Sequence, residues 1–217
     1  MFDTAMARRM MVDGQIRTVD VTNLDLIGAM LAVPRELFMP PAMTAQAYLD
    51  SEIALGQGRA LLKPMVLAKL IQAAEVGGGD HILDVGCGTG YSAALLSQLA
   101  GSVVALEEDA ALARQAQAAL AAAGAVSVVV ATGPLTAGWP AAAPYDLILL
   151  DGATGIVPES LAQQLKPNGR ILGIFSQGPT GKAMIYRLIE GHLLGRPIFD
   201  AAAPLLPGFA APAVFVF

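Results

Sequence analysis

Hydrophobic positions near the start of the chain recur at spacings of three and four residues, a pattern typical of helices. Residues 1 to about 33 carry this pattern, and Thr22 or Asn23 is placed to cap the second helix. Val33-Pro34 should end that helix, because the residue before a proline avoids the helical region. The opening segment therefore predicts two helices.

The next segment combines a turn signal with the start of another helix. From Tyr48 to Gly58 the chain contains Gly56-Gln57-Gly58, a loop signal without an obvious strand. A helix is predicted to begin near Lys63-Pro64, with the proline in its first turn. We therefore expect a loop that leads into a helix with its apolar side inward.

From residue 81 onward, short apolar runs alternate with helical stretches. This alternation predicts a parallel sheet with helices on both faces. The predicted strands are 81–85, 103–106, 126–130, 145–150 and 170–175, and the predicted helices are 92–99, 110–123 and 158–165. The tail, 176–217, adds two predicted strands, 185–189 and 214–217, which could pair antiparallel and close the sheet. Within the tail, the proline-rich stretch 204–209 favours a turn over a dimer contact.

A chain of 217 residues is long enough for one well-buried domain with a small extension. We expect one structural domain overall, with residues 1–76 as an N-terminal helical extension packed on a core of residues 77–217. The predicted fold class is α/β, with a mostly parallel, doubly wound sheet. The sequence leaves the oligomeric state open.

Composition excludes several classes of protein. No window approaches the roughly 20 apolar residues of a membrane span, and the N-terminus lacks the apolar middle of a signal peptide, so a cytoplasmic protein without membrane attachment is expected. The net charge of -5 and 13 scattered Lys and Arg residues argue against nucleic-acid binding. A single cysteine, Cys87, and two distant histidines predict neither a disulfide nor a metal site.

The candidate chemistry lies in the loop Asp84-Val85-Gly86-Cys87-Gly88-Thr89-Gly90-Tyr91, at the end of the first predicted strand of the sheet. In an open parallel sheet, ligands bind where strands turn into helices. Gly86, Gly88 and Gly90 let the backbone bend and approach a ligand closely. Their G-x-G-x-G spacing is one residue shorter than the dinucleotide fingerprint. The loop therefore predicts a nucleoside site.

Acidic residues near this loop suggest which nucleoside would bind. Asp84 suits the cationic amino-acid end of S-adenosylmethionine better than a phosphate. Glu107 ends the second strand, about twenty residues after the loop, where an acid can accept both ribose hydroxyls. Glu108 and Asp109 compete for that role. We expect a site for S-adenosylmethionine, with S-adenosylhomocysteine as product, and weigh it against a nicotinamide-type site and a merely structural turn.

Two other residues of this edge have open or minor roles. Asp151, at the end of another predicted strand, could serve the cofactor or cap a helix, and the sequence favours neither. Cys87 is interpreted as a small space-filling residue, because no histidine lies nearby in sequence to activate it.

Several blocks of the sequence resemble the protein-L-isoaspartate O-methyltransferase family. They comprise Met11-Val12-Asp13-Gly14-Gln15-Ile16-Arg17, Val33-Pro34-Arg35-Glu36-Leu37-Phe38-Met39-Pro40, the glycine loop with Tyr91, Ala143-Pro144-Tyr145-Asp146, Val157-Pro158-Glu159 and Gln164-Leu165-Lys166-Pro167-Asn168-Gly169-Arg170. The resemblance implies a Rossmann-like methyltransferase fold with an N-terminal helical addition. It also implies methyl transfer to a carboxylate of isoaspartyl residues in damaged proteins, a protein-repair activity.

The chain departs from the family pattern on the acceptor side. Where the family has a block resembling G-Q-T-I-S-x-P, this chain has Gly58-Arg59-Ala60-Leu61-Leu62-Lys63-Pro64. Leu62 therefore stands at the serine position and Ala60 at the threonine position, and both hydroxyls are absent. A shift of the register by one residue would put Gln57 at the glutamine position without restoring a serine. At Ala131-Thr132-Gly133 the family usually has G-D-G, so Thr132 replaces a carboxylate near the adenine.

Three interpretations of these departures stay open. The chain could methylate isoaspartyl carboxylates with Arg59, Lys63 or backbone N–H groups holding the acceptor. It could act on another nucleophile, with the apolar stretch at Leu62 lining the pocket, or it could bind the cofactor with little turnover. The residues that the resemblance and the pattern assign to the cofactor are Asp84, Gly86, Cys87, Gly88, Thr89, Gly90, Tyr91, Glu107, Glu108, Thr132, Gly133 and Asp151.

Overall fold

The computed structural model describes residues 3–176 and 180–211. Its N-terminal segment is helical, as predicted. Helix α1 spans Thr4–Met11 and continues through a π turn at Val12–Ile16. Helix α2 spans Leu24–Ala32 and is capped by Asn23, whose Oδ1 accepts a hydrogen bond from the Leu26 N–H at 2.9 Å. The predicted cap is therefore confirmed at Asn23.

A β-hairpin follows, where the sequence predicted a loop without a strand. Strand β1, Ile53–Gly56, pairs antiparallel with strand β2, Arg59–Leu61. The two residues between them, Gln57 and Gly58, have φ of 50° and 72°. Positive φ at both central residues is what a tight hairpin turn requires, so the glycine-rich signal marked a chain reversal between two short strands.

The main sheet has seven strands in the order β5-β4-β3-β6-β7-β8-β9. Strands β3 to β7 are parallel, and β8 and β9 extend the sheet antiparallel. The strands are β3 His81–Val85, β4 Ser102–Glu107, β5 Val129–Thr132, β6 Tyr145–Thr154, β7 Leu165–Ser176, β8 Gly181–Ile189 and β9 His192–Asp200. The helices are α3 Pro64–Ala74, α4 Tyr91–Leu96, α5 Ala110–Ala122 and α6 Glu159–Ala162. This architecture confirms the predicted α/β fold.

Some predicted boundaries are wrong. Strand β5 begins at Val129 rather than residue 126, because Val126 is exposed in the turn after helix α5. Helix α6 ends at Ala162 rather than residue 165, because Leu165 already pairs with Tyr145 in the sheet.

The tail contains a strand that the sequence did not indicate. Strand β8 covers the predicted 185–189 strand and pairs antiparallel with β7 and with β9, which follows a turn at Glu190 and Gly191. Most of β9 is exposed, so its sequence lacks a clear apolar alternation. The other predicted tail strand, 214–217, lies outside the described residues.

Apolar side chains pack on both faces of the sheet. On one face, Met11, Ile16 and Met30 of the N-terminal segment share a cluster with Ile82 of β3. On the other face, Leu83 packs with residues that include Leu206 and Phe209 of the tail. Both tail side chains are fully buried in this chain, which fits the predicted turn. The domain boundary at residues 76 and 77 stays a prediction. Among the described residues, no helix has the length and apolar character needed to cross a bilayer.

Candidate active site at the glycine loop

The glycine loop connects strand β3 to helix α4 at the carboxyl edge of the sheet. Gly86, Gly88 and Gly90 have φ of 80°, 56° and 93°, a region that other residues rarely adopt. The Gly86 and Cys87 N–H groups donate to the Leu106 carbonyl of β4, which ties the loop to the neighbouring strand. The three glycines are therefore required by the backbone conformation itself.

Glu107 ends strand β4 beside this loop and is fully buried. One carboxylate oxygen, Oε1, accepts from the backbone N–H groups of Glu108 at 2.9 Å and Asp109 at 3.1 Å. The other, Oε2, accepts from the Gly88 N–H at 2.8 Å and from Arg59 Nη2 at 3.0 Å. The predicted acid thus faces the glycine loop, and four donors surround it.

Asp84 and Asp151 meet through Ser92. The Ser92 hydroxyl oxygen lies 2.6 Å from Asp84 Oδ2 and 2.7 Å from Asp151 Oδ2. A hydroxyl group has one proton to donate, so both contacts can be hydrogen bonds only if one of the two carboxyl groups carries a proton. The remaining oxygen of each carboxyl, Oδ1, is buried without a hydrogen-bond partner among the described residues. Two carboxyl oxygens at this edge are therefore available to accept hydrogen bonds from a ligand.

The environment of these carboxyl groups raises their pKa values. Burial is the largest cause for Asp84, whose pKa lies well above its usual value, and the charge of Asp151 adds to it. Burial also raises the pKa of Asp151 to about 6, against the Ser92 hydrogen bond, which lowers it. A cationic ligand group would favour the ionised forms.

These raised pKa values predict a dependence of stability on pH. A carboxyl with a raised pKa binds its proton more tightly in the folded protein, so ionising it between about pH 4 and pH 6 lowers the free energy of unfolding. We expect Asp151→Asn to raise that free energy at pH 7 by on the order of 2 kcal/mol and to have little benefit at pH 4. Urea unfolding at both pH values measures this. The exposed Asp25→Asn serves as control, and an equal effect of Asp151→Asn at both pH values would contradict the assignment.

Thr89 and Tyr91 face the N-terminal segment. The Thr89 hydroxyl donates to the Phe38 carbonyl at 2.6 Å, and the guanidinium of Arg35 lies 4.7 Å above the Tyr91 ring. Cys87 is fully buried, and burial holds its thiol pKa well above the usual value, which agrees with its interpretation as a space-filling residue. Thr89 and Tyr91 therefore pack the loop against the N-terminal segment.

The other predicted cofactor residues lie along the same sheet edge. Thr132 ends strand β5 in register with Glu107, and the Gly133 N–H donates to the Glu107 carbonyl at 3.2 Å. Glu108 is exposed, and its carboxylate lies 3.4 Å from the Leu135 nitrogen. The structure thus brings all three to the loop edge, with Glu107 nearer the glycines than Glu108.

The three residues predicted on the acceptor side do not lie together in the structure. The Leu62 side chain is buried, and its carbonyl accepts from Arg35 Nη2 at 3.0 Å. Lys63 is half-buried and precedes helix α3. The guanidinium of Arg59 turns toward the cofactor side instead, where its Nη2 donates to the Gly86 carbonyl at 2.5 Å as well as to Glu107. Of the three, only Arg59 joins the predicted cofactor residues.

Sequence reasoning did not single out Arg35 or Ser92 as site residues. Arg35 is fully buried, and its Nε and Nη1 have no hydrogen-bond partner among the described residues. Arg35 lies in the block Val33 to Pro40, which resembles the family. That resemblance could have pointed to Arg35, but it does not indicate burial. Nothing in the local sequence links Ser92 to Asp151, because these residues are 59 positions apart.

The residues at this edge fit a cationic nucleoside in their chemistry. Two carboxyl groups with unpartnered oxygens suit an ammonium or sulfonium charge. Glu107 already accepts four hydrogen bonds, so a ribose hydroxyl would have to replace one of its donors. The space before the glycines is occupied by the chain itself: a Cβ on Gly86 would lie 2.7 Å from Arg59 Nη2, and one on Gly88 would lie 2.7 Å from Leu55 Cδ1. A nucleoside at this edge would therefore have to displace side chains.

The sequence matches one family model. The model for protein-L-isoaspartate(D-aspartate) O-methyltransferase aligns with residues 6–185. A protein-L-isoaspartate O-methyltransferase of Methylorubrum extorquens is 41% identical over 199 residues, which cover 92% of this chain and 85% of that protein. One from Ignicoccus hospitalis is 36% identical over 205 residues, covering 92% and 94% of the two chains.

Solved structures show the same fold. A protein-L-isoaspartate O-methyltransferase superposes with a TM-score of 0.81 at 22% identity, covering 93% of this chain and 66% of that longer chain. A Plasmodium falciparum protein of the same description, in complex with S-adenosyl-L-homocysteine, superposes with a TM-score of 0.76 at 16% identity, covering 95% and 99% of the two chains. At these identities the likeness establishes the architecture alone.

Proposed function

The chain belongs to the protein-L-isoaspartate(D-aspartate) O-methyltransferase family, and we propose that it transfers the methyl group of S-adenosylmethionine to a carboxylate of isoaspartyl residues in proteins. The observation that carries this proposal is the buried acid Glu107 beside a glycine loop that ends strand β3. The relatives with which the chain shares about 40% identity bear this activity in their names. The predicted cytoplasmic location stays a prediction.

Each part of the proposed site has a distinct task. Bound S-adenosylmethionine supplies an activated methyl carbon. Glu107 would hold a ribose hydroxyl at the position that Arg59 now occupies, and Asp84 and Asp151 would face the cationic amino-acid end. Because the methyl carbon is already reactive, the protein need only orient the acceptor, balance its charge and exclude water.

The acceptor side would act without the family's hydroxyls. Arg35 donates to the Leu62 carbonyl and retains buried nitrogens without partners, so its positive charge lies close to the position of the missing serine. A buried guanidinium stabilises a nearby carboxylate electrostatically. We assign Arg35 the balancing of the acceptor's charge, with Lys63 as a second cation near the end of the same segment.

A second candidate function rests on the same segment. Ala60 and Leu62 present apolar side chains where the family has hydroxyls, and Leu62 is buried. This favours an acceptor less polar than a peptide carboxylate, methylated by the same cofactor.

Methylation of defined peptides separates the two candidates. The protein is incubated with methyl-labelled S-adenosylmethionine and a peptide containing one isoaspartate, with the same peptide containing aspartate as control. The proposal predicts base-labile methyl ester on the isoaspartyl peptide only. No ester above background, together with methylation of an apolar small-molecule acceptor, would favour the second candidate.

Restoring the serine should increase the proposed activity. We expect Leu62→Ser to raise kcat/KM for the isoaspartyl peptide by about tenfold, because an oriented hydroxyl donor at a reactive site contributes at least that much. The neighbouring Leu61→Ser is the matched control, since Leu61 is buried to the same extent and its substitution also removes core packing. Equal effects of the two substitutions would contradict a role for position 62.

A further inference from the structure

Three side chains lie directly against Gly86 and Gly88 of the site. The Arg59 guanidinium and the Leu206 side chain both approach Gly86, to within 2.7 and 2.8 Å of where a Cβ would stand. Leu206 also lies 2.7 Å from the corresponding position at Gly152. Leu55 approaches Gly88 in the same way, at 2.7 Å. The close approach that the glycines permit is therefore made by the chain's own residues.

Arg59 also takes the last free position on Glu107. A carboxylate has about four lone-pair positions, and Glu107 already accepts from the N–H groups of Gly88, Glu108 and Asp109. The fourth bond comes from Arg59 Nη2. A ribose hydroxyl can therefore bind Glu107 only after Arg59 releases it, at the one position that Arg59 frees.

The charge of Arg59 suits the same surroundings as a cationic ligand. Arg59 is 4% exposed and lies among the acids Glu107, Asp84 and Asp151. Burial raises the pKa values of Asp84 and Asp151, and the positive charge of Arg59 is among the influences that oppose this. The guanidinium thus compensates acidic charge that would otherwise be buried without a counterion.

The segments that carry these side chains lie outside the main sheet. Leu55 and Arg59 belong to the hairpin β1–β2, which forms a separate two-stranded sheet. Leu206 belongs to the loop after β9, which contacts the end of β6 through a bridge between Leu205 and Ala153 and a hydrogen bond from the Gly155 N–H to the Phe209 carbonyl. Displacing either segment would leave intact the strand pairing that holds Glu107 and the glycine loop, because neither segment contributes to the pairing of β3 with β4 and β6.

We propose that Arg59, assisted by Leu206 and Leu55, is an internal competitor that closes the cofactor site, so that S-adenosylmethionine binds by displacing the guanidinium from Glu107 and the Gly86 carbonyl. This inference rests on the proposed function, because it takes the cofactor site as its premise. A closed state lowers the apparent affinity in proportion to the small fraction of molecules that are open. Removing the competitor removes that penalty.

Calorimetric titration of S-adenosylmethionine and S-adenosylhomocysteine tests the proposal. We expect Arg59→Met to bind S-adenosylmethionine about tenfold more tightly than the wild type, with a smaller gain for S-adenosylhomocysteine, which lacks the sulfonium charge. Leu206→Ala, which changes no charge, should tighten both ligands equally. The exposed Arg114→Met is the matched control and should leave both affinities unchanged.

Hydrogen exchange provides a readout that is independent of affinity. In the wild type, saturating S-adenosylhomocysteine should accelerate amide exchange in residues 53–61 while slowing it in the glycine loop. A lower affinity of Arg59→Met for S-adenosylmethionine would overturn the proposal and would indicate that Arg59 binds the cofactor. Unchanged affinity in both variants would also overturn it while leaving the proposed function intact. Absence of binding in the wild type and in every variant would overturn both.

Discussion

Replacing Glu107 by glutamine is expected to lower the affinity for S-adenosylmethionine at least about 100-fold, a loss of roughly 3 kcal/mol. Each carboxylate oxygen of Glu107 accepts from two donors, whereas an amide nitrogen accepts from none. Whichever way the amide is oriented, two donors face an NH2 group. The variant therefore loses an acceptor for ribose and misaligns the loop at Gly88 or the turn after β4.

The same substitution should also destabilise the protein without ligand. It removes the carboxylate that pairs with the buried Arg59, and breaking a buried pair typically costs about 3–5 kcal/mol. Calorimetric titration measures the affinity, and urea unfolding measures the stability. Glu108→Gln is the matched control, because Glu108 is the exposed neighbour that competes for the ribose role. A larger loss of affinity in Glu108→Gln would assign that role to Glu108 instead.

Replacing Arg170 by methionine is expected to cost about 3–5 kcal/mol of stability, the range for breaking a largely buried ion pair such as that of Arg170 with Asp80. Arg170 is 8% exposed and donates to the carbonyls of Ala74, Glu75 and Asp146 as well as to the Asp80 carboxylate at 2.7 Å. It thereby joins the end of helix α3, the turn before β3 and the start of β6. Without it, the buried Ala74 carbonyl and the three partly exposed acceptors lose a charged donor.

Thermal unfolding checks this prediction. For a protein of this size, the expected loss corresponds to a decrease in Tm of about 10 °C. Arg187, which stands opposite Arg170 on strand β8 and pairs with Glu75 at the surface, offers a matched control. We expect Arg187→Met to cost under about 1 kcal/mol, as surface ion pairs do. Similar losses of stability in the two variants would contradict the proposed contribution of Arg170 to stability.

Features that depend on local sequence were predictable. Strands β3 and β4 follow apolar runs bounded by glycines and acids, and the position of Glu107 follows from its place at the end of β4. The three glycines reveal the loop, because the positive φ angles they adopt are nearly specific to glycine. The acceptor-side residues were identified by the family resemblance rather than by any local pattern.

Features that depend on contacts between distant residues were not predictable from one sequence. Arg59 lies in a hairpin whose glycine-rich turn was interpreted as a loop, and its orientation toward Glu107 is set by folding across 48 positions. The burial of Leu206 against Gly86 likewise joins the tail to the first loop of the sheet. Side-chain direction follows from such packing, and no periodicity in the sequence encodes it.

A crystal structure of the complex with S-adenosylhomocysteine would show whether the cofactor binds at the glycine loop and Glu107. We expect a ribose hydroxyl on the Glu107 carboxylate in place of Arg59, the amino-acid end facing Asp84 and Asp151, and the thioether directed toward Leu62. A nucleoside bound elsewhere, with Glu107 still holding Arg59 and the glycines still covered, would contradict this expectation.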